Sequence, residues 1–394
     1  MMHVAICNNM VTPYTNRLFN RIVQSQNMKI SVVSCTDREK DRNWSASYAS
    51  DYRHIILKGF SLELGKARFA HFNLGIWRAL SRLSPDVVAI NGLYPTMLVA
   101  ALWSAVHRKP LAFLTDGWHS SMPNSPLHRA LRPLVFKKAS AFICSSEKGR
   151  RYFLDQGIES RRIFVAHIIP SWPAPTDVPS LDRRPYHLLW CARIDDPRKN
   201  ATFFFDLALA LKSQIPDLRL RIVADSQTRP QKALDTLSRT GIHFDYTPFV
   251  SPDQIAAVFA SARMLILPSI HEPWGLVCNE AMQCGTPCAV SPHTGAADDL
   301  IVNGDSGLVL DLGVERWADA IAEVLTDRLR WEAMSKAAIA AAAKYSLERS
   351  ATEYIQGLTF PAQAHFPVTK TTNMRQTTTE TSESATDRKS PAST

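Results

Sequence analysis

Two glutamates in one short segment are the residues of this sequence best placed to do chemistry. Glu272 and Glu280 are eight residues apart in HEPWGLVCNEAMQCGTP, residues 271–287. Pro273 and Gly275 predict a loop that turns into a helix. Eight helical residues span ~12 Å, whereas a retaining glycosidase needs carboxyl groups only ~5 Å apart. We therefore expect the two carboxylates to hold two ends of one elongated ligand rather than to act on one bond.

The start of this predicted helix is a further candidate binding feature. Its first amides, those of Gly275, Leu276 and Val277, have no carbonyl partner within the helix, so they can bind sugar hydroxyls or phosphate oxygens. For Glu280, a solvated position on the helix surface is the alternative reading.

Two cations lie six residues apart in CARIDDPRKN, residues 191–200, just after a predicted strand. Arg193 and Lys199 could offset the negative charge of a departing diphosphate without a metal ion. Solvated loop cations are the alternative. We expect Asp195 and Asp196 to be a loop pair rather than a metal site.

The length, composition and charge of the chain indicate the domains that carry these residues and the kind of partner they meet. A chain of 394 residues with 45% apolar and 21% charged residues fits two globular domains. Residues 1–180 hold 23 Lys plus Arg against 11 Asp plus Glu, and residues 181–394 hold 22 against 25. The positive excess of the first half favours an anionic partner such as a phospholipid surface, a lipid phosphate, a polyanionic glycan or nucleic acid. Solubility alone is the alternative.

Short β-branched runs alternate with helical stretches along both halves of the chain, which indicates parallel βαβ units and an α/β fold. The predicted strands are His3–Cys7, Lys29–Cys35, Val87–Asn91, Leu111–Thr115, Ala141–Ser145, Ile163–Ala166, His187–Cys191, Leu218–Ala224, His243–Tyr246, Met264–Leu267, Pro287–Ser291 and Leu308–Leu310. Ligands of such folds bind at the carboxyl ends of the strands, where Asn9 and Asp116 are expected.

Five prolines between positions 170 and 185 predict a linker between two domains. The expected organisation is an N-terminal domain over 1–170, a linker over 171–186, a C-terminal domain over 187–345, a helix over 346–360 that returns to the first domain, and a disordered tail over 361–394. The first residues form too short an apolar run for a signal peptide, so we expect a cytoplasmic protein. Seven scattered cysteines predict neither disulfides nor a structural metal.

The glutamate segment resembles the retaining glycosyltransferase family 4 of GT-B fold, whose mark is Glu, seven residues, Glu. The flanking TPFVSPDQIAAVFASARMLILPS and TGAADDLIVNGDSGLVL also resemble the family, and the likeness covers about residues 187–350. It is weaker in the first half, where it depends on strand order, SPDVV and SSEKGRRYF. The resemblance implies two doubly wound Rossmann-like domains facing across a cleft, with the acceptor side in the first and the nucleotide-sugar donor in the second.

The resemblance also implies the chemistry. A hexose-type sugar would pass from a nucleotide diphosphate sugar to a glycan or lipid-linked acceptor, with retained configuration and without metal or cofactor, in bacterial surface or exopolysaccharide assembly. Glu280 would hold the ribose hydroxyls and Glu272 the donor sugar's hydroxyls. Arg193 and Lys199 would hold the phosphates.

Other site residues follow from the same resemblance. Phe249 and Val250 match the position at which the family meets the base. Many members have a His after the fourth strand, where PLAFLTDGWHSS offers Asp116, with His119 three residues on. Asp116 would bond a donor hydroxyl or orient the acceptor; a turn aspartate is the alternative. The usual glycine pair after the first strand is replaced by NNMVTPYTNRLF, which puts Asn9 on the acceptor side.

Basic and aromatic residues alternate in the first half, and such surfaces suit an anionic membrane. They include Lys66, Arg68 and Trp77 in residues 58–82, together with RALRPLVFKK (129–138) and KGRRYF (148–153). We expect them to dock the first domain peripherally on the inner face of the cytoplasmic membrane. Burial in the domain core is the alternative for the hydrophobic ones.

Two other functions remain open at this point. A nucleotide-sugar epimerase of GT-B fold would share the cleft but needs further acid and base carboxylates. A non-catalytic polyanion-binding protein would fit the isoelectric point of about 9.2. The intact Glu272, Glu280, Arg193 and Lys199 favour the transferase, which is not expected to bind nucleic acid.

Overall fold

The computed structural model describes most of the chain in two α/β domains joined by a linker. The described residues are 1–25, 28–38, 48–65, 68–224, 229–251 and 254–363. Lys66 and the expected tail from 364 onward lie outside them. None of the described helices is both long and apolar enough to cross a membrane.

The first domain contains a seven-stranded parallel sheet and a separate antiparallel hairpin. In chain order its strands are β1 Met2–Asn8, β2 Met28–Ser34, β3 Arg53–Ile56, the hairpin pair β4 Phe60–Gly65 and β5 Arg68–Phe72, β6 Val87–Asn91, β7 Leu111–Thr115, β8 Ala141–Cys144 and β9 Ile163–Val165. The sheet order is β3-β2-β1-β6-β7-β8-β9. Strands β2 and β3 are added on one side of β1 and strands β6 to β9 on the other. The order of the strands therefore switches between β1 and β6, and such a switch point opens a crevice at the carboxyl ends of the strands.

Helices cover both faces of this sheet. They are α1 Pro13–Ser25, α2 Gly75–Leu83, α3 Pro95–Val106, α4 Pro126–Lys138 and α5 Glu147–Asp155. The apolar side chains of α2 to α5 pack in one core cluster, and those of α1 pack in the other, on the opposite face. The central strands β1, β2, β6, β7 and β8 are buried on both faces, which explains their nearly continuous apolar sequences.

The second domain repeats the plan with six parallel strands in the order β12-β11-β10-β13-β14-β15. They are β10 Tyr186–Cys191, β11 Arg219–Val223, β12 His243–Thr247, β13 Ala262–Leu267, β14 Cys288–Val290 and β15 Gly307–Val309. The helices are α6 Ala201–Leu211, α7 Gln231–Arg239, α8 Ile255–Ala260, α9 Leu276–Gln283, α10 Val314–Thr326 and α11 Arg328–Ala343. Its switch point lies between β10 and β13.

The last described helix, α12 Leu347–Gln363, leaves the second domain and packs against the first. Ala351 and Leu358 are buried in the same cluster as α1 and the strands of the first sheet. Gly357 permits this approach, because a Cβ atom there would lie 2.5 Å from Cγ1 of Ile143 in β8. The helix continues to Gln363, three residues beyond the boundary expected for the tail.

The structure confirms the α/β fold class, and each of the twelve predicted strands overlaps an observed one. Three strands were not predicted. β3 is a four-residue edge strand without a fully buried side chain, so its sequence carries little pattern. The hairpin β4–β5 lies in the segment interpreted as basic and aromatic surface, and its Phe60 and Phe72 rings stack 5.0 Å apart.

Replacing Leu358 by alanine should destabilise the protein by about 2–5 kcal/mol, because the side chain is fully buried between α12 and the first sheet. The measurement is the free energy of unfolding in urea. Leu329→Ala removes an exposed leucine of α11 and should change it by less than about 0.5 kcal/mol. Equal effects of the two substitutions would contradict the packing role of α12.

Candidate active site

The carboxyl ends of β10 and β13 meet at the switch point of the second sheet, and the loops that follow them carry the predicted cations and one glutamate. In the first loop, Asp196 caps a single turn of 3-10 helix, Pro197–Lys199, by accepting a hydrogen bond from the Arg198 amide. The turn ends at Asn200, which has φ 59° and begins α6.

Each aspartate of this loop is held by an arginine two residues away. Asp195 lies 3.3 Å from Arg193, and Asp196 lies 2.6 Å from Arg198. These pairs fix the path of the loop between β10 and α6. Among the described residues, no group of three or more His, Cys, Asp or Glu side chains is arranged to hold a metal ion.

The Lys199 ammonium donates a hydrogen bond to the Glu272 carboxylate, which joins the two predicted motifs. The two loops are also linked through their backbones, because the Ile270 amide donates to the Arg198 carbonyl at 3.0 Å. Both side chains are largely shielded from water, with 21% and 11% exposed. A buried pair of this kind is sensitive to geometry, so its two loops must be held rigidly.

Backbone hydrogen bonds position Glu272 against the loop after β14. The Glu272 amide donates to the His293 carbonyl, and the Gly295 amide donates to the Glu272 carbonyl, both at 3.0 Å. Gly275 then adopts φ 97° as it starts α9, a conformation that favours glycine. Leu276 and Val277 form the first turn of α9, and the binding role of their amides stays a prediction.

Glu280 lies within α9, whereas Glu272 precedes that helix, so the expected separation of eight helical residues is wrong. Only residues 276–280 of this stretch are helical, so the helical rise contributes to the separation of the two glutamates over that part alone. The Trp172 indole of the linker donates to Glu280 Oε1 at 3.3 Å. Burial raises the pKa of Glu280 to about 7, and the indole hydrogen bond only partly opposes this.

Asp116 follows β7 at the carboxyl edge of the first sheet. The residue is exposed to solvent, and loss of hydration at its carboxylate raises its pKa to about 6. The Ser145 hydroxyl donates to the Asp116 carbonyl at 3.2 Å. Asp116 also lies near Tyr354 of α12, whose pKa is raised by burial and by this carboxylate.

Two side chains of the first domain donate hydrogen bonds to the loops that hold Glu272. The Trp118 indole donates to the Glu272 carbonyl at 3.1 Å, and Lys148 Nζ donates to the carbonyls of Pro292 and Thr294 at 2.8 and 2.9 Å. The ammonium also lies 5.1 Å from the centre of the Trp118 ring. Burial lowers the pKa of Lys148, although Asp298 and Asp299 oppose this. We call Trp118 and Lys148 the interdomain clamp.

A second set of contacts between the domains surrounds Asp299. Its carboxylate accepts from the Glu147 amide at the start of α5 at 2.8 Å and from the Tyr345 hydroxyl at 3.0 Å, and His167, which follows β9, lies 3.5 Å away. Burial acts to raise the pKa of Asp299, but its contacts with His167, the Glu147 amide and Tyr345 lower it overall.

Phe249 and Val250, predicted for the donor side, and Asn9, predicted for the acceptor side, lie in loops that follow strands. Phe249 is 47% exposed in the loop after β12, and Val250 is half-buried against the core of the second domain. Asn9 follows β1 in the first domain, where its carbonyl accepts from the Thr36 amide at 3.0 Å. Their roles stay predictions.

The residues predicted for the acceptor or membrane side that the structure describes lie on different elements of the first domain. His119 pairs with Asp155 at 3.1 Å, and Asp155 ends α5, about 12 Å along that helix from its first residue. Trp77 lies on α2, where its ring meets His107 at 5.7 Å. Arg68 begins β5, and Lys66 lies outside the described residues.

Sequence reasoning missed Trp118, Lys148, Trp172 and Asp299. Trp118 follows Asp116 by two residues, and Trp172 stands within the proline-rich linker, so both were close to recognised features. Lys148 belongs to the segment expected to meet a membrane, whereas the structure shows it bonded to the second domain, with Tyr152 and Phe153 buried. Contacts between domains leave no periodic pattern that a single sequence could reveal.

Comparison with known families agrees with this arrangement. The family model described as Glycosyl transferases group 1 matches residues 181–342, and the one described as Glycosyltransferase Family 4 matches residues 14–168. The chain belongs to glycosyltransferase family 4. This result confirms the resemblance drawn from the glutamate segment, and it extends the match to the first domain.

Curated relatives of this family 4 chain carry the name D-inositol 3-phosphate glycosyltransferase. That of Segniliparus rotundus is 33% identical over 156 residues, which are 37% of this chain and 34% of the relative. That of Nocardioides sp. is 29% identical over 183 residues, 42% of this chain and 40% of the relative. The chain thus matches well under half the length of these relatives.

Solved structures share the fold of this family 4 chain at low sequence identity. HepE of Anabaena, solved in complex with UDP, is 16% identical with a TM-score of 0.65, over 91% of this chain and 100% of HepE. The lipopolysaccharide outer core galactosyltransferase WaaB, in apo form, is 16% identical with a TM-score of 0.66, over 90% of this chain and 99% of WaaB. The GT-B architecture of two Rossmann-like domains is confirmed.

Replacing Lys148 by methionine should loosen the loop after β14, because two charge-assisted hydrogen bonds to its carbonyls are lost. We expect the amides of Thr294 and Gly295 to exchange hydrogen roughly 10- to 100-fold faster, as measured by mass spectrometry. The matched control is Lys137→Met on the exposed side of α4, which should leave this exchange unchanged. Unchanged exchange in Lys148→Met would show that the clamp does not hold the loop.

Replacing Glu280 by glutamine should change how stability depends on pH. The native pKa of about 7 lies above the ordinary 4.5, so the carboxyl contributes stability below pH 4.5 that is lost as pH rises through 7. The wild type should therefore lose stability relative to Glu280→Gln between these pH values, as measured by urea unfolding. Glu315→Gln, at an exposed carboxylate of α10, should follow the wild-type curve. Parallel curves for wild type and Glu280→Gln would contradict the burial of Glu280.

Proposed function

We propose that this chain transfers a hexose-type sugar from a nucleotide diphosphate sugar to a glycan or lipid-linked acceptor, with retention of configuration and without a metal ion. The observation that carries the proposal is the Lys199–Glu272 pair at the switch point of the second sheet, where Lys199 shares its loop with Arg193. In a chain of this family, that pairing joins a group suited to phosphate with a group suited to sugar hydroxyls.

On the donor side, Arg193 and Lys199 would neutralise the diphosphate, and the first amides of α9 would bind its oxygens. Glu272 would accept hydrogen bonds from the sugar hydroxyls, and Glu280 from the ribose hydroxyls. Phe249 and Val250 would lie near the base. The UDP complex of HepE supports a nucleotide site in this fold, and the base remains to be identified by experiment.

In the proposed reaction, an acceptor hydroxyl attacks the anomeric carbon on the face from which the diphosphate leaves. The new bond joins the acceptor oxygen to that carbon, while the bond from the carbon to the phosphate oxygen breaks. The hydroxyl proton passes to the departing phosphate, so no separate protein base is required. Arg193 and Lys199 stabilise the charge that develops on the diphosphate. Asp116, on the opposite domain, would orient the acceptor or bond a donor hydroxyl.

The acceptor is proposed from charge and from the named relatives. The relatives act, by name, on an inositol phosphate, and the excess of cations in residues 1–180 suits an anionic acceptor. WaaB, by name, builds a lipopolysaccharide core, which supports a role in bacterial surface glycan assembly. We place this reaction in the cytoplasm.

The donor site can be tested by thermal unfolding in the presence of EDTA with UDP-, GDP-, ADP- and dTDP-sugars. Stabilisation by one base series would support a metal-free donor site and would identify the nucleotide. Absence of stabilisation by all four series would overturn the proposal. Isomerisation of the bound donor without any acceptor would instead indicate an epimerase.

Replacing Lys199 by alanine should lower the rate of transfer by about 100- to 1,000-fold, because a cation facing the developing phosphate charge is lost. Lys336→Ala removes an exposed lysine of α11 and should leave the rate unchanged. The measurement is kcat for sugar transfer, with the anomeric configuration of the product read by NMR. Full activity of Lys199→Ala, or an inverted product, would contradict the proposed mechanism.

A further inference from the structure

The outer surface of α2, α3 and α4 exposes large apolar side chains on three neighbouring helices. These helices cover one face of the first sheet and share one buried core. The exposed fractions are 79% for Leu74, 36% for Trp77, 57% for Leu102, 60% for Val106, 63% for Leu127 and 67% for Leu134. We call this surface the α2–α4 face.

The three helices lie side by side, so these side chains belong to one surface. The Trp103 indole of α3 donates to the Ser81 hydroxyl of α2 at 2.9 Å, and Trp77 contacts His107 just after α3. On α4, Val135 and Phe136 are buried in the shared core, while Leu127 and Leu134, seven residues apart, point the other way. Residues at this spacing lie on one side of a helix.

Cations without a described carboxylate partner occur on the same three helices and just beyond them. Residues 74–138 contain eight Lys and Arg, namely Arg78, Arg82, Arg108, Lys109, Arg129, Arg132, Lys137 and Lys138. Within the described part of the chain, none of these eight forms an ion pair with a carboxylate.

The same stretch contains only two carboxylates, and neither is on the three helices. Asp86 precedes β6 and accepts a hydrogen bond from the His3 amide at the amino end of the sheet, and Asp116 follows β7. The face therefore combines an uncompensated positive charge with exposed leucines.

We propose that the α2–α4 face binds an anionic phospholipid bilayer. Exposed leucine, valine and tryptophan side chains can enter the acyl boundary, while the surrounding cations attract acidic headgroups, and neither feature alone gives stable attachment. A second copy of this chain fits the face poorly, because two such surfaces would repel each other. Nucleic acid would match the cations but would leave the six apolar side chains without a partner.

This assignment differs from the membrane surface expected from sequence. Of the three segments named there, residues 129–138 contribute α4, and residues 58–82 contribute only their α2 part. Residues 148–153 do not contribute, because Lys148 is bonded to the second domain and Tyr152 and Phe153 are buried.

The test is co-sedimentation of the full chain with vesicles of phosphatidylcholine alone or of phosphatidylcholine with phosphatidylglycerol. The wild type should bind only the anionic vesicles. The double variant Leu127→Glu, Leu134→Glu should bind them at least about tenfold more weakly, because it removes two apolar contacts and adds two negative charges. Circular dichroism should show unchanged helix content, since both leucines are exposed.

Leu329→Glu is the matched control. Leu329 is 78% exposed on α11 and lies between two arginines, but Arg328 pairs with Glu332 and Asp182, and Arg330 pairs with Glu323. Its substitution should leave vesicle binding unchanged. Failure of the wild type to bind anionic vesicles, equal losses in the control, or retained binding by the double variant would overturn the proposal. Release of the wild type from vesicles by duplex DNA, with DNA binding unaffected in the double variant, would identify a polyanion patch instead.

Sedimentation reports attachment without sugar transfer, so this result is separate from that of the donor assays. If the chain transfers sugar but does not bind anionic vesicles, the proposed function stands and the proposed membrane binding by the α2–α4 face is wrong.

Discussion

One buried carboxylate, Asp299, joins four parts of the chain. It belongs to the second domain, accepts from the first residue of α5 in the first domain, and meets the segment after β9 at His167 and the segment before α12 at Tyr345. A charge that is shielded from water is costly unless several partners bond to it, so these four parts must stay together for the group to be stable. The relative placement of the two sheets depends on this interaction.

The donor loops also depend on contacts between the two domains, those of the interdomain clamp. Glu272 is fixed by its own domain through the loop after β14. That loop accepts hydrogen bonds from Lys148 of the first domain, and Trp118 of the first domain donates to the Glu272 carbonyl itself. Movement of one domain is therefore transmitted to the carboxylate that is proposed to hold the sugar. A site of this kind is complete only when both domains are in place, which is one way to keep water from an activated donor.

Local patterns in the sequence were enough to predict much of the fold. Alternating apolar runs identified twelve strands, and the spacing of Glu272 from Glu280 indicated the family. The pairing of Lys199 with Glu272 was not visible, since it joins residues 73 positions apart. Trp118, Lys148 and Asp299 act through partners more than 40 residues away, and no periodicity records such contacts. Asp116 was placed by analogy with a family position, and its role stays a prediction; the pairing of His119 with Asp155, 36 residues along the chain, was not visible either.

The return of α12 to the first sheet has a consequence for synthesis on the ribosome. All seven strands of the parallel sheet are made early, but the face that α12 covers with Leu358 stays uncovered until residues near 360 have emerged. At about 5–20 residues per second, that wait lasts roughly ten to forty seconds after β9 has been translated. During this time the second domain can already fold, since its core contains no residue of α12. The domain translated first is thus the one completed last, and its open apolar face is a natural target for a chaperone.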